Sequence, residues 1–310
     1  MKTILITGAD GLVGNSLRKL QKNNKDLNFV FITRKDADLS KEDSVNLIFE
    51  KHSPEYVIHT AAKVGGIGGN MIAHADYFYQ NILINSHVIH NSWKHNVKKL
   101  LAFSSVCVFP DNCQILKEEN MHSGPPFSGN FAYAHAKRMV DIQIEAYKQQ
   151  HGTTNYCSII PSNIIGTHDL YNLKHGHVLP SLIHKIFLAK KNNTDLEVWG
   201  DGKSLREFVF SDDLAMALIQ ILRKESIPDK IIIAGRQQYS IKEIVDSLVK
   251  ASNFKGDVIF NNNKPNGQRN RQSDLSLFNN LLPNFEFTNI EEAIKISYNW
   301  FESNYPNVRL

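Results

Sequence analysis

The stretch Tyr133-Ala-His-Ala-Lys137 puts a phenol and an ammonium four residues apart, hence on one face of a helix. A phenol titrating at its ordinary value of about 10 is a poor acid–base partner at neutral pH. The neighbouring lysine charge is expected to lower that value, and the same ammonium can hold a ribose. Such spacing is also common on exposed helix faces, so the pair needs company. Ser104-Ser105-Val-Cys107 supplies it roughly 30 residues earlier, at the end of a candidate strand, where Ser105 can bring a hydroxyl beside the phenol. Cys107 stands two residues beyond Ser105 and ahead of Phe109-Pro110. By type a cysteine is most often a small buried hydrophobe. His177, in His175-Gly-His177-Val-Leu-Pro180, precedes a proline that marks a helix start. A loop histidine is more often structural or solvated.

A second constellation opens the chain. Gly8-Ala-Asp10-Gly11-Leu12-Val13-Gly14 follows the first apolar run and leads into an amphipathic stretch. Glycines there allow a tight turn, a close approach of backbone to a pyrophosphate, and close helix–strand packing; the helix N-terminus then offers N–H groups to the phosphates. About 20 residues further on, NAD enzymes place an acidic residue against the ribose. This chain has Thr33-Arg34-Lys35 instead, and Arg34 can pair with a 2′-phosphate, which favours NADP(H). Asp38-Leu39 is placed to meet the adenine, and Ala61-Ala62-Lys63 to line the dinucleotide.

The elements that must position these groups are legible as an alternation. Strands are expected at 3–7, 29–33, 56–60, 100–104, 156–161 and 230–234, and helices at 12–22, 40–51, 73–95 and 132–150. Most of the strand runs are apolar throughout, as in strands covered by helices on both faces. The pattern predicts an α/β fold with a doubly wound parallel Rossmann sheet. After residue 161 the pattern loosens, with helices at 179–191, 212–224 and 241–253. Ser240-Ile-Lys-Glu243 and Thr288-Asn-Ile-Glu291 both read as capping boxes. The expected organisation is a dinucleotide domain over 1–162, with returning segments around 205–235, and a smaller, irregular substrate domain over 163–310.

Composition narrows the class. In 310 residues, 35 basic against 31 acidic side chains leave a net charge of +4, spread along the chain. That does not argue for nucleic acid, but suits an anionic ligand where a few cations converge. Cys107, Cys113 and Cys157 show no metal-ligand spacing, and their odd number suggests a reduced, cytoplasmic setting. No segment approaches the roughly 20 apolar residues of a membrane span, and Gly8-Ala9-Asp10 interrupts the first apolar run too early for a secretory signal.

On these residues the chain resembles the GDP-L-fucose synthase family of extended short-chain dehydrogenases. The resemblance runs nearly end to end: residues 8–14, Ala61-Ala-Lys-Val-Gly-Gly-Ile67, Ser105 to Pro110, His122-Ser-Gly-Pro-Pro126, Tyr133 to Lys137, His177 to Pro180, Val198-Trp-Gly-Asp-Gly202, Arg206-Glu-Phe208 and Lys264-Pro-Asn-Gly267. It implies 3,5-epimerisation and 4-reduction of GDP-4-keto-6-deoxy-mannose with NADPH in one site. Cys107 would remove the protons at C3 and C5, His177 would return them, and Ser105 and Tyr133 would hold the C4 oxygen. Tyr133, Lys137, Asn163 and His177 would also touch the cofactor. Lys185, Arg206 and Arg271 would neutralise the diphosphate, and Trp199 would lie near the base.

Two departures bear on the substrate. The family often carries the other basic residue type at positions 185 and 271, and an aromatic and a proline where this chain has Ile165 and Thr167. A C4-reductase of a related GDP-6-deoxy-4-keto sugar, such as a heptose, with little epimerisation is therefore the alternative. The resemblance also suggests a homodimer through the helices at 73–95 and 132–150.

Overall fold

The computed structural model describes residues 1–263 and 270–310, with Ile67 described through its backbone alone. The stretch Lys264-Pro-Asn-Gly267 lies outside the described residues. The chain begins with β1 (Lys2–Thr7), α1 (Leu12–Leu20), β2 (Leu27–Ile32), α2 (Glu42–His52), β3 (Tyr56–His59), α3 (Ile67–Ile72), α4 (His74–Lys94) and β4 (Lys99–Phe103). A short β5 (Ile115–Leu116) precedes α5 (Phe131–His151), β6 (Tyr156–Pro161) and β7 (Asn163–Ile165). The remainder holds α6 (Val178–Asn192), β8 (Leu196–Trp199), β9 (Leu205–Phe210), α7 (Ser211–Arg223), β10 (Lys230–Ile233) and β11 (Gln238–Ser240). It closes with α8 (Ile241–Ser252), β12 (Val258–Asn261), β13 (Gln272–Ser273), α9 (Ser276–Leu281) and α10 (Ile290–Asn304).

Six strands form a wholly parallel sheet in the order β10-β6-β4-β3-β1-β2. Strands β3, β4 and β6 are buried along their whole length, which is why they read as unbroken apolar runs. Helices α1 and α7 cover one face; α2, α4 and α5 cover the other. The chain goes from β1 to β2 on one side and resumes with β3 on the other, so the direction reverses between β1 and β3. At the carboxyl ends of those strands a crevice opens, the place where open α/β sheets bind ligands.

Outside this sheet, α6, α8 and α10 enclose a second apolar core with β8 and β9, built on Leu182, Ile186, Val198, Ile244 and Phe301. The chain returns to the main sheet through α7 and β10. There Ser16 Oγ on α1 donates to Asp212 Oδ1 at 2.6 Å and Lys19 pairs with the same carboxylate at 2.8 Å.

One of the two expected capping boxes forms. Ser240 Oγ accepts the Glu243 N–H at 3.2 Å while Glu243 Oε2 accepts the Ser240 N–H at 2.7 Å. The other does not. Thr288 gives its N–H and hydroxyl to Asp213, at 2.7 and 2.8 Å, and Asn289 caps α10 by accepting the Glu291 N–H at 2.8 Å. Asp213 is buried, and a buried carboxylate needs donors, so it takes the threonine from the helix end.

Candidate active site

The crevice is a cavity of about 1490 Å3 that runs from the Gly8 turn to the segment carrying Arg271. Its first half is shaped for a dinucleotide. Gly8 has φ 72°, and a Cβ there would come within 2.7 Å of Thr60 Oγ1 and 2.8 Å of the Ala61 nitrogen. A Cβ at Gly14, which is buried and outside the lining, would lie 2.6 Å from the Ala9 carbonyl, so α1 sits hard against the turn. No side chain caps α1, and Asp10, Gly11, Leu12 and Val13 line the cavity at its N-terminus. An uncapped helix start with small residues before it fits a pyrophosphate.

Beyond β2, Asp36 Oδ2 accepts the Thr33 N–H and hydroxyl at 2.8 and 2.7 Å, and these bonds hold its carboxyl below the usual range. This closed turn leaves Arg34 exposed at the cavity edge beside Lys35 and Asp38. Ala61 and Ala62 line the opposite wall. Lys63 does not: Asn81 clamps its N–H and carbonyl at 3.1 and 3.0 Å, and its ammonium turns to Asp76 at 3.4 Å.

The chemical end is assembled on β4 and α5. Ser105 Oγ accepts the Cys107 N–H at 3.4 Å and caps the short turn Val106–Val108. Arg138 on α5 donates to the Val108 carbonyl at 2.6 Å and the Gly124 carbonyl at 2.7 Å, fixing this turn relative to Tyr133. Lys137, one turn after Tyr133, donates to the Phe103 carbonyl at 2.7 Å. Ser105, Cys107, Tyr133, Lys137, Asn163 and His177 all line the one cavity.

Burial sets the electrostatics. It pulls Lys137 down to about 8, with the Cys107 thiolate charge opposing. It pushes the Cys107 thiol up to about 11, against the Ser105 hydrogen bond and the Lys137 and Arg271 charges. It also pushes the Tyr133 phenol well above its ordinary value, with Cys107 and Tyr77 adding to the effect. The expectation that Lys137 lowers the phenol is thus corrected: desolvation of the buried phenol sets the direction. Tyr133 therefore keeps its proton at neutral pH.

At the far end two guanidinium groups converge. Arg206 is lowered by burial and by the Arg271 charge, and Arg271 keeps a buried Nε without a hydrogen-bond partner. Arg271 Nη2 lies 3.3 Å from Asp111 Oδ1. Two partly buried cations lining one cavity, one with an unmet donor, fit an anionic ligand. Lys185 and Trp199 do not line the cavity: they lie against each other, ammonium 4.8 Å from the indole centroid, and Lys185 Nζ donates to the Glu197 carbonyl at 3.2 Å.

Three polar residues emerge only from the structure. Buried Glu207 accepts the Ser273 N–H at 2.8 Å and its hydroxyl at 2.5 Å, tethering the strand that follows Arg271. Buried Asp169 lines the cavity; burial raises its carboxyl while the His177 charge pulls it back. Asn70 lines it too. Their only sequence signal is position, inside or beside motifs quoted above.

A dinucleotide cradle joined to a Ser–Tyr–Lys set defines an oxidoreductase of the short-chain dehydrogenase type. The chain belongs to the NAD dependent epimerase/dehydratase family, whose profile matches residues 4–235. It is 40% identical to the GDP-L-fucose synthase of Dictyostelium discoideum, over 99% of this chain and 98% of that one. Among solved structures it is similar to a GDP-L-fucose synthetase from Naegleria fowleri bound to NADP, with TM-score 0.94 and 36% identity over 100% of this chain and 95% of the other. A GDP-mannoheptose C4 reductase from Campylobacter jejuni with NADP bound follows at TM-score 0.86 and 32% identity, over 97% of this chain and 98% of the other.

Proposed function

We propose that this protein uses NADPH to epimerise C3 and C5 and reduce C4 of GDP-4-keto-6-deoxy-D-mannose, giving GDP-L-fucose. The observation that carries the reading is the convergence of Cys107 and His177 on the cavity that also holds Tyr133 and Lys137. A plain carbonyl reductase needs only the second pair.

The C4 ketone makes the protons on C3 and C5 acidic. At each carbon in turn the Cys107 thiolate takes the proton and protonated His177 gives one to the opposite face. Solvent then takes the proton from the thiol and restores the one on the imidazole before the second carbon reacts. Ser105 Oγ and Tyr133 Oη donate to the C4 oxygen and stabilise the charge that develops there. The dinucleotide, when bound, supplies hydride to C4. Tyr133 then gives its phenolic proton to the oxygen, while Lys137, held by the Phe103 carbonyl, keeps its ammonium against the ribose. Arg206 and Arg271 neutralise the diphosphate of the substrate; Lys185 and Trp199 extend that end toward the base when the nucleotide lies along β8.

Arg34 reads the 2′-phosphate of NADP(H). Arg34→Ala should raise the Kd for NADPH about ten- to a hundredfold, as loss of a bidentate charged contact does, with NADH nearly unchanged. Equal losses for both cofactors in a fluorescence titration would remove Arg34 from that role.

The alternative is a C4-reductase of a related GDP-6-deoxy-4-keto sugar. It is favoured by Ile165, which lines the cavity beside Asn163, and by the heptose C4 reductase likeness. Incubation with GDP-4-keto-6-deoxy-D-mannose in D2O without NADPH separates the two. Deuterium at both C3 and C5 supports the epimerase-reductase; no exchange, with reduction intact once NADPH is added, favours the alternative.

Helices α4 and α5 pack together and leave Phe78, Met139 and Ile142 exposed on their outer side. A second copy of the chain covering this face gives the homodimer. Light scattering should then return twice the 35.2 kDa chain mass, and a monomer at working concentration refutes it. Among the described residues no helix is long and apolar enough to cross a membrane. The three free thiols support a reducing, cytoplasmic setting.

A further inference from the structure

Asn70 lies in α3, 4% exposed, and forms part of the cavity wall. Its Nδ2 donates to the Gly65 carbonyl at 2.8 Å and the Gly66 carbonyl at 3.2 Å, so both of its hydrogens are used. Its Oδ1 is buried and has no hydrogen-bond partner. A buried amide oxygen left unmet is costly, and native structures keep one where a ligand or water completes it.

The surroundings place the Asn70 loop beside the reacting groups. The Gly66 N–H donates to the His175 carbonyl at 2.7 Å, and a Cβ at Gly66 would overlap the Gly176 carbonyl. The loop that Asn70 clasps therefore presses on the segment that ends at His177. A Cβ at Gly65 would overlap the Tyr77 hydroxyl, and the Tyr77 ring stands edge-on to Tyr133 with centroids 6.3 Å apart. The loop that Asn70 clasps thus touches both the segment ending at His177 and Tyr77, the ring that stands beside the Tyr133 phenol.

We propose that Asn70 contacts the substrate, its Oδ1 accepting a hydrogen bond from a ring hydroxyl of the keto sugar while its Nδ2 holds the loop. The inference rests on the function proposed above. In that substrate C4 is a ketone and C6 a methyl group, so the only free ring hydroxyls are those on C2 and C3. Asn70 is then a specificity-determining residue that tells the hydroxylated sugar from its deoxy analogue.

The test compares wild type with Asn70→Ala on GDP-4-keto-6-deoxy-D-mannose and on its 2-deoxy and 3-deoxy analogues, alongside NADPH affinity and the unfolding midpoint. The variant should lose about ten- to a hundredfold in kcat/KM on the full substrate and match wild type on the analogue that lacks the hydroxyl it reads. NADPH affinity should stay within about twofold. Asn70→Ser, too short to reach the sugar but able to bond the Gly66 carbonyl, is read the same way should the alanine variant fail to fold. Equal losses on all three sugars make Asn70 a loop clasp only. A selective loss of NADPH affinity moves the donor to the cofactor, and either result overturns the inference. Wild-type turnover with no Asn70 effect sinks this inference alone; no wild-type turnover of the full substrate sinks the functional reading and this inference with it.

Discussion

Tyr133→Phe should lower C4 reduction by about 10³-fold, within the usual range for removing a positioned general acid, while solvent exchange at C3 and C5 falls only about tenfold. The substitution removes one oxygen and keeps the ring, so the edge-on contact with Tyr77 survives. Burial holds the phenol protonated at neutral pH. Once hydride has reached C4, its proton is the one in place to quench the alkoxide. Exchange needs only a donor to the enolate oxygen, and Ser105 Oγ remains to provide it. Single-turnover absorbance of NADPH reads the first effect, and mass increase of the keto sugar in D2O reads the second. Lys137 adds a signature in pH. Its ammonium is held down to about 8, so reduction should decline as pH rises through that value and the cation is lost. Normal reduction by the Phe variant would overturn the acid assignment, and an unchanged rate from pH 7 to 9.5 would remove the Lys137 charge from the chemistry.

The parallel sheet was legible because its central strands are buried on both faces, leaving unbroken runs such as Tyr156 to Pro161. The cofactor turn was legible because the left-handed φ of Gly8 and the close backbone approach at Gly14 both demand glycine. Tyr133 and Lys137 could be paired from their spacing once Ser105 and the glycine turn stood beside them, but the direction of their titration could not be read. That direction depends on depth of burial, which four residues of spacing do not encode. Orientation was hidden for the same reason: Lys63 and Lys185 are cations near the site in sequence, yet each turns to a nearer partner, Asp76 or the Trp199 face. Asn70, Asp169 and Glu207 were silent because a lone amide or carboxylate is ordinary until it is known to be buried. Thr288 shows the converse, a local capping signal overruled by one distant buried carboxylate.

Cys107→Ser should cut deuterium entry at C3 and C5 by about 10²- to 10⁴-fold, the range for loss of a positioned base, with substrate affinity retained. Serine keeps the volume and the backbone bond to Ser105, but its hydroxyl is a far weaker acid than the thiol and yields no usable anion. The wild-type thiol is itself pushed up to about 11 by burial, so near pH 7 only about one site in 10⁴ carries the thiolate. Two consequences follow from that scarcity. Exchange by the wild-type enzyme should rise about tenfold per pH unit between pH 6.5 and 9, because the base is being created. Over the upper part of the same range reduction should fall with Lys137, so the two halves of the reaction respond to alkali with opposite sign. The serine variant should show no such rise. Exchange that survives in the variant, or that is flat with pH in the wild type, would transfer the base role away from Cys107. His177, on the same cavity, would then be the group to test next, and His177→Asn in D2O would show whether one residue serves both faces of the ring.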